Sequence, residues 1–87
     1  MDNYDEEYKR LGINLAYFIR YKKITQRDFS KMIRIHESYL SGILTGKQKP
    51  SLSLLISSSK ILSLRSPGVL FDFRAEQSIG LERYFLS

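Results

Sequence analysis

The chain has 87 residues, which admits one domain and one compact core and leaves no room for a separate catalytic domain. It has no cysteine, which excludes a disulfide framework and agrees with a reducing cytoplasm, the compartment we expect for it. The formal net charge of +5 is placed unevenly: residues 1–19 sum to −2, residues 20–49 to +6 and residues 50–87 to +1, so the middle third suits a polyanion or forms a solvated basic surface.

The opening residues, Met1-Asp2-Asn3-Tyr4-Asp5-Glu6-Glu7, are acidic and polar, unlike a secretory signal. No apolar run approaches the roughly 20 residues that cross a bilayer, so we expect no membrane association. A first helix is expected over Asp5–Tyr21. Leu11, Leu15, Phe18 and Ile19 fall on one face of it, Tyr8 extends that face, and the acidic and basic ends suit the helix dipole. A second helix should open on Thr25 as cap, with Asp28 three residues on and Phe29 and Ile33 turned inward, and end near Arg34. A third should run from about His36 to Leu44, burying Tyr39 or Leu40 together with Ile43, and stop at Thr45-Gly46-Lys47. Ser51 can cap a fourth helix that carries Leu52, Leu55, Ile56 and Leu62 on one face. Leu44 and Leu54 interrupt otherwise polar positions, as ordinary exposed leucines or as part of a partner surface. A short fifth helix follows, with Ser66 as cap, Pro67 in first position, then Val69, Leu70 and Phe71. No alternating strand pattern is present, and the stretch from Arg74 to Ser87 is ambiguous.

Only a few residues around Arg34-Ile35 separate the second and third helices, the spacing of a helix-turn-helix. Thr25-Gln26-Arg27-Asp28-Phe29-Ser30 resembles the opening of the second helix in the Xre/Cro family of regulators, which includes the lambda-type phage repressors. Ile35-His36-Glu37-Ser38-Tyr39-Leu40-Ser41 resembles its turn and recognition helix. Gly46-Lys47-Gln48-Lys49-Pro50-Ser51-Leu52 is similar to the loop and start of its fourth helix. The resemblance spans about Leu11 to Leu64. Four positions depart from it: Arg34 stands where the family has Gly, Ser30 where it has Ala, His36 where it has a Ser or Thr cap, and Leu44 where it has an acid. A left-handed Arg34 would cost about 1 kcal/mol, and the Ser30 hydroxyl would need a partner.

The resemblance implies an all-α, five-helix lambda-repressor-like domain over residues 1–73. The C-terminal extension 74–87 carries apolar Leu81, Tyr84, Phe85 and Leu86, which would be covered by the chain's own core, by a second protomer or by another partner. It also implies a regulator of transcription, expected to be a repressor, reading the major groove of double-stranded DNA with residues 36–44. Gln26 would touch a phosphate or a base edge, or else be a solvated first-turn residue. His36, Glu37, Ser38 and Ser41 would approach base edges, Ser38 foremost; otherwise His36 only caps and Glu37 only balances the dipole. Lys47 and Lys49 would meet phosphates or serve solubility. Arg27 and Lys31 would join them or face water, and Lys22 and Lys23 would reach the backbone from the end of the first helix. Tyr8, Tyr17, Tyr21 and Tyr39 read as core packing rather than as a stacking platform.

A lone histidine without clustered acids is a poor metal ligand, and no metal or cofactor is expected. No paired carboxylates, phosphate-binding glycine loop or nucleophile–base set points to an enzyme. A homodimer is expected, because one recognition helix covers few base pairs. The alternatives are an antitoxin, or a protein-interaction module of the same fold, for which Glu37 and the acidic N-terminus speak.

Overall fold

Leu11, Leu15, Phe18 and Ile19 form one stripe along the first helix, and that stripe is the centre of the core. The structure, a computed structural model, describes residues 5–77 and 80–86. Its helices are α1 (Asp5–Tyr21), α2 (Gln26–Met32), α3 (Glu37–Leu44), α4 (Leu52–Ile61) and α5 (Val69–Asp72). Two 3₁₀ turns follow, Ala75–Gln77 and Leu81–Tyr84. The fold is the expected all-α, five-helix one. α1 packs against both α3 and α5, and α2 packs against α3. Phe29 of α2, Leu40 and Ile43 of α3, Leu54 and Leu55 of α4, and Leu70 and Phe73 all close on the α1 stripe. Each such large side chain contributes about 1.5–3 kcal/mol on burial.

Local chemistry sets the helix ends. The Thr25 hydroxyl accepts from the Asp28 N–H at 3.0 Å, and the Ser51 hydroxyl accepts from the Leu54 N–H at 3.2 Å. His36 occupies the cap position of α3 but its side chain makes no capping bond. Four helices end on a residue in the left-handed region: Lys23 (φ 59°), Arg34 (φ 60°), Gly46 (φ 80°) and Ser63 (φ 60°). The next N–H then reaches back five residues: Ile24 to Ile19 (3.1 Å), Ile35 to Ser30 (3.0 Å), Lys47 to Gly42 (2.8 Å), Leu64 to Ser59 (2.8 Å).

Two expectations need correction. In α4, Leu55 is buried as expected, but Leu52 is 69% exposed and Ile56 37%. Leu54 (8%), Ser58 and Ser59 are turned inward instead, with Leu62 beyond the helix. The rotation puts two small serines, Ser58 and Ser59, where α4 meets the core, and leaves Leu52 and Ile56 on the outer side beside Ser53, Ser57 and Lys60. Leu54 is therefore a core residue, and Leu44 is half-buried. In α5, Gly68 rather than Ser66 takes the cap position; Ser66 and Pro67 precede it in a tight turn, accepting from the Val69 and Leu70 N–H groups at 3.2 and 3.1 Å.

A tie between α1 and α5 has no local signature among the residues that make it. Asn14, 1% exposed, donates through Nδ2 to the carbonyls of Leu70 (2.7 Å) and Phe73 (2.5 Å). These are carbonyls that a four-residue helix cannot satisfy itself. The chain beyond Arg74 folds back on the same core. Leu64 and Phe85 form an isolated antiparallel bridge, with the Arg65 N–H on Tyr84 O (2.9 Å) and the Leu86 N–H on Ser63 O (2.8 Å). The Phe85 ring meets Phe18 edge-on at 5.6 Å and stacks on Tyr21 at 5.4 Å, and Tyr84 meets Phe73 at 5.3 Å. Leu81, Tyr84 and Phe85 are thus covered by the chain's own core, and Leu86 stays exposed.

Ser58 is fully buried and its hydroxyl has no hydrogen-bond partner among the described residues. Ser58→Ala removes a desolvated hydroxyl at little loss of volume, and should raise the unfolding free energy by about 1 kcal/mol, read as a higher urea midpoint with unchanged slope.

Candidate nucleic-acid interface

A seven-residue helix and an eight-residue helix are both too short to persist alone, so their mutual geometry rests on the turn between them. α2 closes with the Ile33 N–H on Phe29 O at 3.1 Å, Arg34 turns left-handed, and the Ile35 N–H returns to Ser30 O. Ile33 and Ile35 flank the turn and pack, half-buried, against the core. Arg34 therefore keeps the conformation a glycine would adopt more readily. The Ser30 hydroxyl, buried against α3, finds its partner within α2, donating to Arg27 O at 2.6 Å.

α3 divides cleanly. Leu40 and Ile43 are buried, Tyr39, Gly42 and Leu44 are intermediate, and Glu37, Ser38 and Ser41 are exposed, as is Thr45 just past its end. At 3.6 residues per turn the exposed set spans an arc of roughly 100°, opposite the buried pair. Thr45 turns its hydroxyl back on the helix end, donating to Ser41 O (3.0 Å) and Gly42 O (3.2 Å).

The expected contact residues fall in three places. Gln26 and Arg27 are the first two residues of α2, Gln26 half-buried and Arg27 exposed. His36, Glu37, Ser38 and Ser41 share the exposed side of α3 and its cap. Lys47 and Lys49 are exposed in the loop from α3 to α4, beyond the far end of α3, about 12 Å of helix away from Glu37. That loop is braced: the Tyr39 hydroxyl donates to Lys49 O at 3.4 Å, and the Lys49 ammonium lies 5.4 Å from the Tyr8 ring centroid. Lys22, at the end of α1, sits 4.4 Å over the Phe85 ring. Tyr17 packs on Phe18 and Phe73, while Tyr21 is exposed on one side and stacked between Tyr17 and Phe85.

One residue of the site's support was not anticipated. A Cβ on Gly12 would lie 2.5 Å from Ile43 O and 2.6 Å from Leu44 O, so α1 touches the end of α3 backbone to side-chain-free backbone. The available signal was a glycine inside an otherwise unbroken helical pattern. Among the described residues no group of three His, Cys, Asp or Glu could hold a metal ion, and no helix is long and apolar enough to cross a membrane.

Arg34→Gly relieves the left-handed strain at the turn, offset in part by the greater freedom of glycine in the unfolded chain. It should stabilise the protein by about 0.5–1 kcal/mol, measured as a raised thermal midpoint.

The pattern of the helix-turn-helix family matches residues 22–68, which takes in α2, the turn, α3, the basic loop and α4. Several solved structures share the architecture. The clp gene regulator ClgR from Corynebacterium glutamicum is 27% identical, with 88% of this chain and 80% of that chain covered and a TM-score of 0.72. The restriction-modification controller protein C.AhdI from Aeromonas hydrophila is 21% identical over 76% of this chain and 98% of that one, TM-score 0.70. The hypothetical transcription factor NHTF from Neisseria is 15% identical over 93% and 91%, TM-score 0.73. The last two likenesses concern the fold alone. Among curated proteins there was no significant match.

Proposed function

Because the chain belongs to the helix-turn-helix family of Xre and lambda-repressor-like regulators, we propose that it binds double-stranded DNA as a sequence-specific regulator of transcription in the cytoplasm, acting as a repressor. The observation that carries this reading is the polar arc of α3, Glu37, Ser38 and Ser41, backed by buried Leu40 and Ile43 and presented by a short turn. It lies in the stretch of the chain that sums to +6. A helix fits the major groove, where serine hydroxyls donate or accept and Glu37 accepts from cytosine N4. Gln26, Arg27 and His36 border the groove, while Lys47 and Lys49 meet phosphates. The reading assigns no catalytic step to the chain and requires no cofactor.

Two copies related by a dyad would read half-sites about one helical turn apart, giving the discrimination that one short helix lacks. We take residues 1–73 as the DNA-binding unit and 74–87 as the extension that helps join protomers. Since Leu81, Tyr84 and Phe85 already pack on the chain's own core, Leu86 is the exposed large apolar side chain that the described part of the extension offers for that contact. A second reading, an antitoxin or protein-interaction module of the same fold, draws on Glu37, which is the one acid between Phe29 and Phe71 and lies on the exposed arc.

Titrating salt against random and genomic duplex DNA separates the two readings, since a protein-binding module with a basic surface holds every duplex alike and releases it as salt rises, whereas a regulator retains a preferred duplex. Lys47→Ala and Lys49→Ala should each weaken binding about equally for all sequences and flatten the salt slope by about one unit. Ser38→Ala should instead relax preference at one base pair by about 1–3 kcal/mol and leave the slope alone. Light scattering should give the mass of two chains, and Leu86→Ser should shift it toward one; an unchanged mass would remove the extension from the interface.

A further inference from the structure

The geometry points to Gly12 of α1 as a positioning residue for base reading, an inference that rests on the DNA-binding reading above. Gly12 itself is given no contact to DNA in that reading, yet this part of α1 is the seat on which the reading helix rests. At Gly12 the would-be Cβ meets Ile43 O at 2.5 Å, Leu44 O at 2.6 Å and Leu44 C at 2.8 Å. All three are backbone atoms, so no rotamer change can admit a methyl group there. The two backbones must part, and the strain falls on the angle between α1 and the C-terminal end of α3, whose Leu40 and Ile43 are buried in the core.

The same turns of α1 carry the basic loop. Gly46 faces Lys9, whose Cα lies 3.1 Å from where a Gly46 Cβ would stand, and Tyr8 lies beneath the Lys49 ammonium. The Tyr8–Gly12 segment thus registers the reading arc and the phosphate-binding loop against one another. Hydrogen bonds to base edges fail with displacements of a few tenths of an ångström and poor angles. Lysine contacts to phosphate, on long flexible stems, follow a small displacement. One methyl group on Gly12 therefore discriminates between the two kinds of contact, although Gly12 touches neither.

The test uses the full chain and a duplex that the wild-type protein selects from a random pool. Gly12→Ala should lose about tenfold or more in affinity for the selected duplex. Its affinity for random duplex and its salt slope should stay within about twofold of wild type. Leu70→Ala serves as the control for instability alone. It opens a cavity where α5 packs on α1 and adds nothing at the Gly12 contact with the Ile43 and Leu44 carbonyls, so it should lower the thermal midpoint without changing the ratio of selected to random affinity. If Gly12→Ala keeps that ratio, or behaves as Leu70→Ala does, the positioning role is overturned. If Gly12→Ala does not fold, it is remade in the Ser58→Ala background; failure to fold there too assigns Gly12 a purely structural role and overturns the inference. A wild-type chain that selects no duplex overturns the DNA-binding reading itself and the inference with it, an outcome distinct from a selecting wild type with an indifferent Gly12→Ala.

Discussion

The architecture depends on a repeated backbone event: a helix ends, one residue turns left-handed, and the next residue's N–H closes on a carbonyl five positions back. α1, α2, α3 and α4 all stop this way. Only Gly46 is a residue suited to that conformation; Lys23, Arg34 and Ser63 hold it at about 1 kcal/mol each. What holds them is the residue that follows. Ile24 and Ile35 pack half-buried and Leu64 is buried, so unwinding any of these ends would withdraw an apolar side chain from the core. Burial at the next position outweighs local strain, and the direction of each following helix is fixed as a result.

That constraint explains how such short helices can present a rigid surface. α3 has too few residues to be stable by propensity. Its inner side is held by Leu40 and Ile43, its start follows from the Arg34 turn, and its end rests on Gly12. Its outer side carries the exposed polar residues Glu37, Ser38 and Ser41, none of which is part of the buried core.

Most of this was legible where the cause is local. The bounds of α1, the caps Thr25 and Ser51, the glycine stop at Gly46 and the burial of Ile43 follow from spacing and residue type, whereas the choice of Leu40 over Tyr39 as its partner came with the structure. The resemblance located the left-handed turn at Arg34 despite the wrong residue for it. What stayed hidden depends on distant partners. Asn14 answers carbonyls of Leu70 and Phe73, and Gly12 answers the backbone of α3; neither is written near those residues. The α4 face was misread because a serine that fits a close contact looks identical, in sequence, to a serine that faces water. The exposed side of α3 could be read directly, whereas the roles of Gln26, Ser38 or Lys47 belong to a partner's chemistry and came from resemblance.

The return of Phe85 onto Phe18 and Tyr21 has a bearing on how the protein is made. A ribosome releases α1 early and Phe85 only after every helix has emerged. Until then Phe18 and Tyr21 lack one of their ring neighbours, and the nascent chain carries apolar surface of the kind chaperones and proteases recognise. A transcript broken shortly before the Phe85 codon would yield a chain with all five helices encoded but its core unsealed. Synthesis as far as Phe85 is thus what completes the aromatic cover of α1.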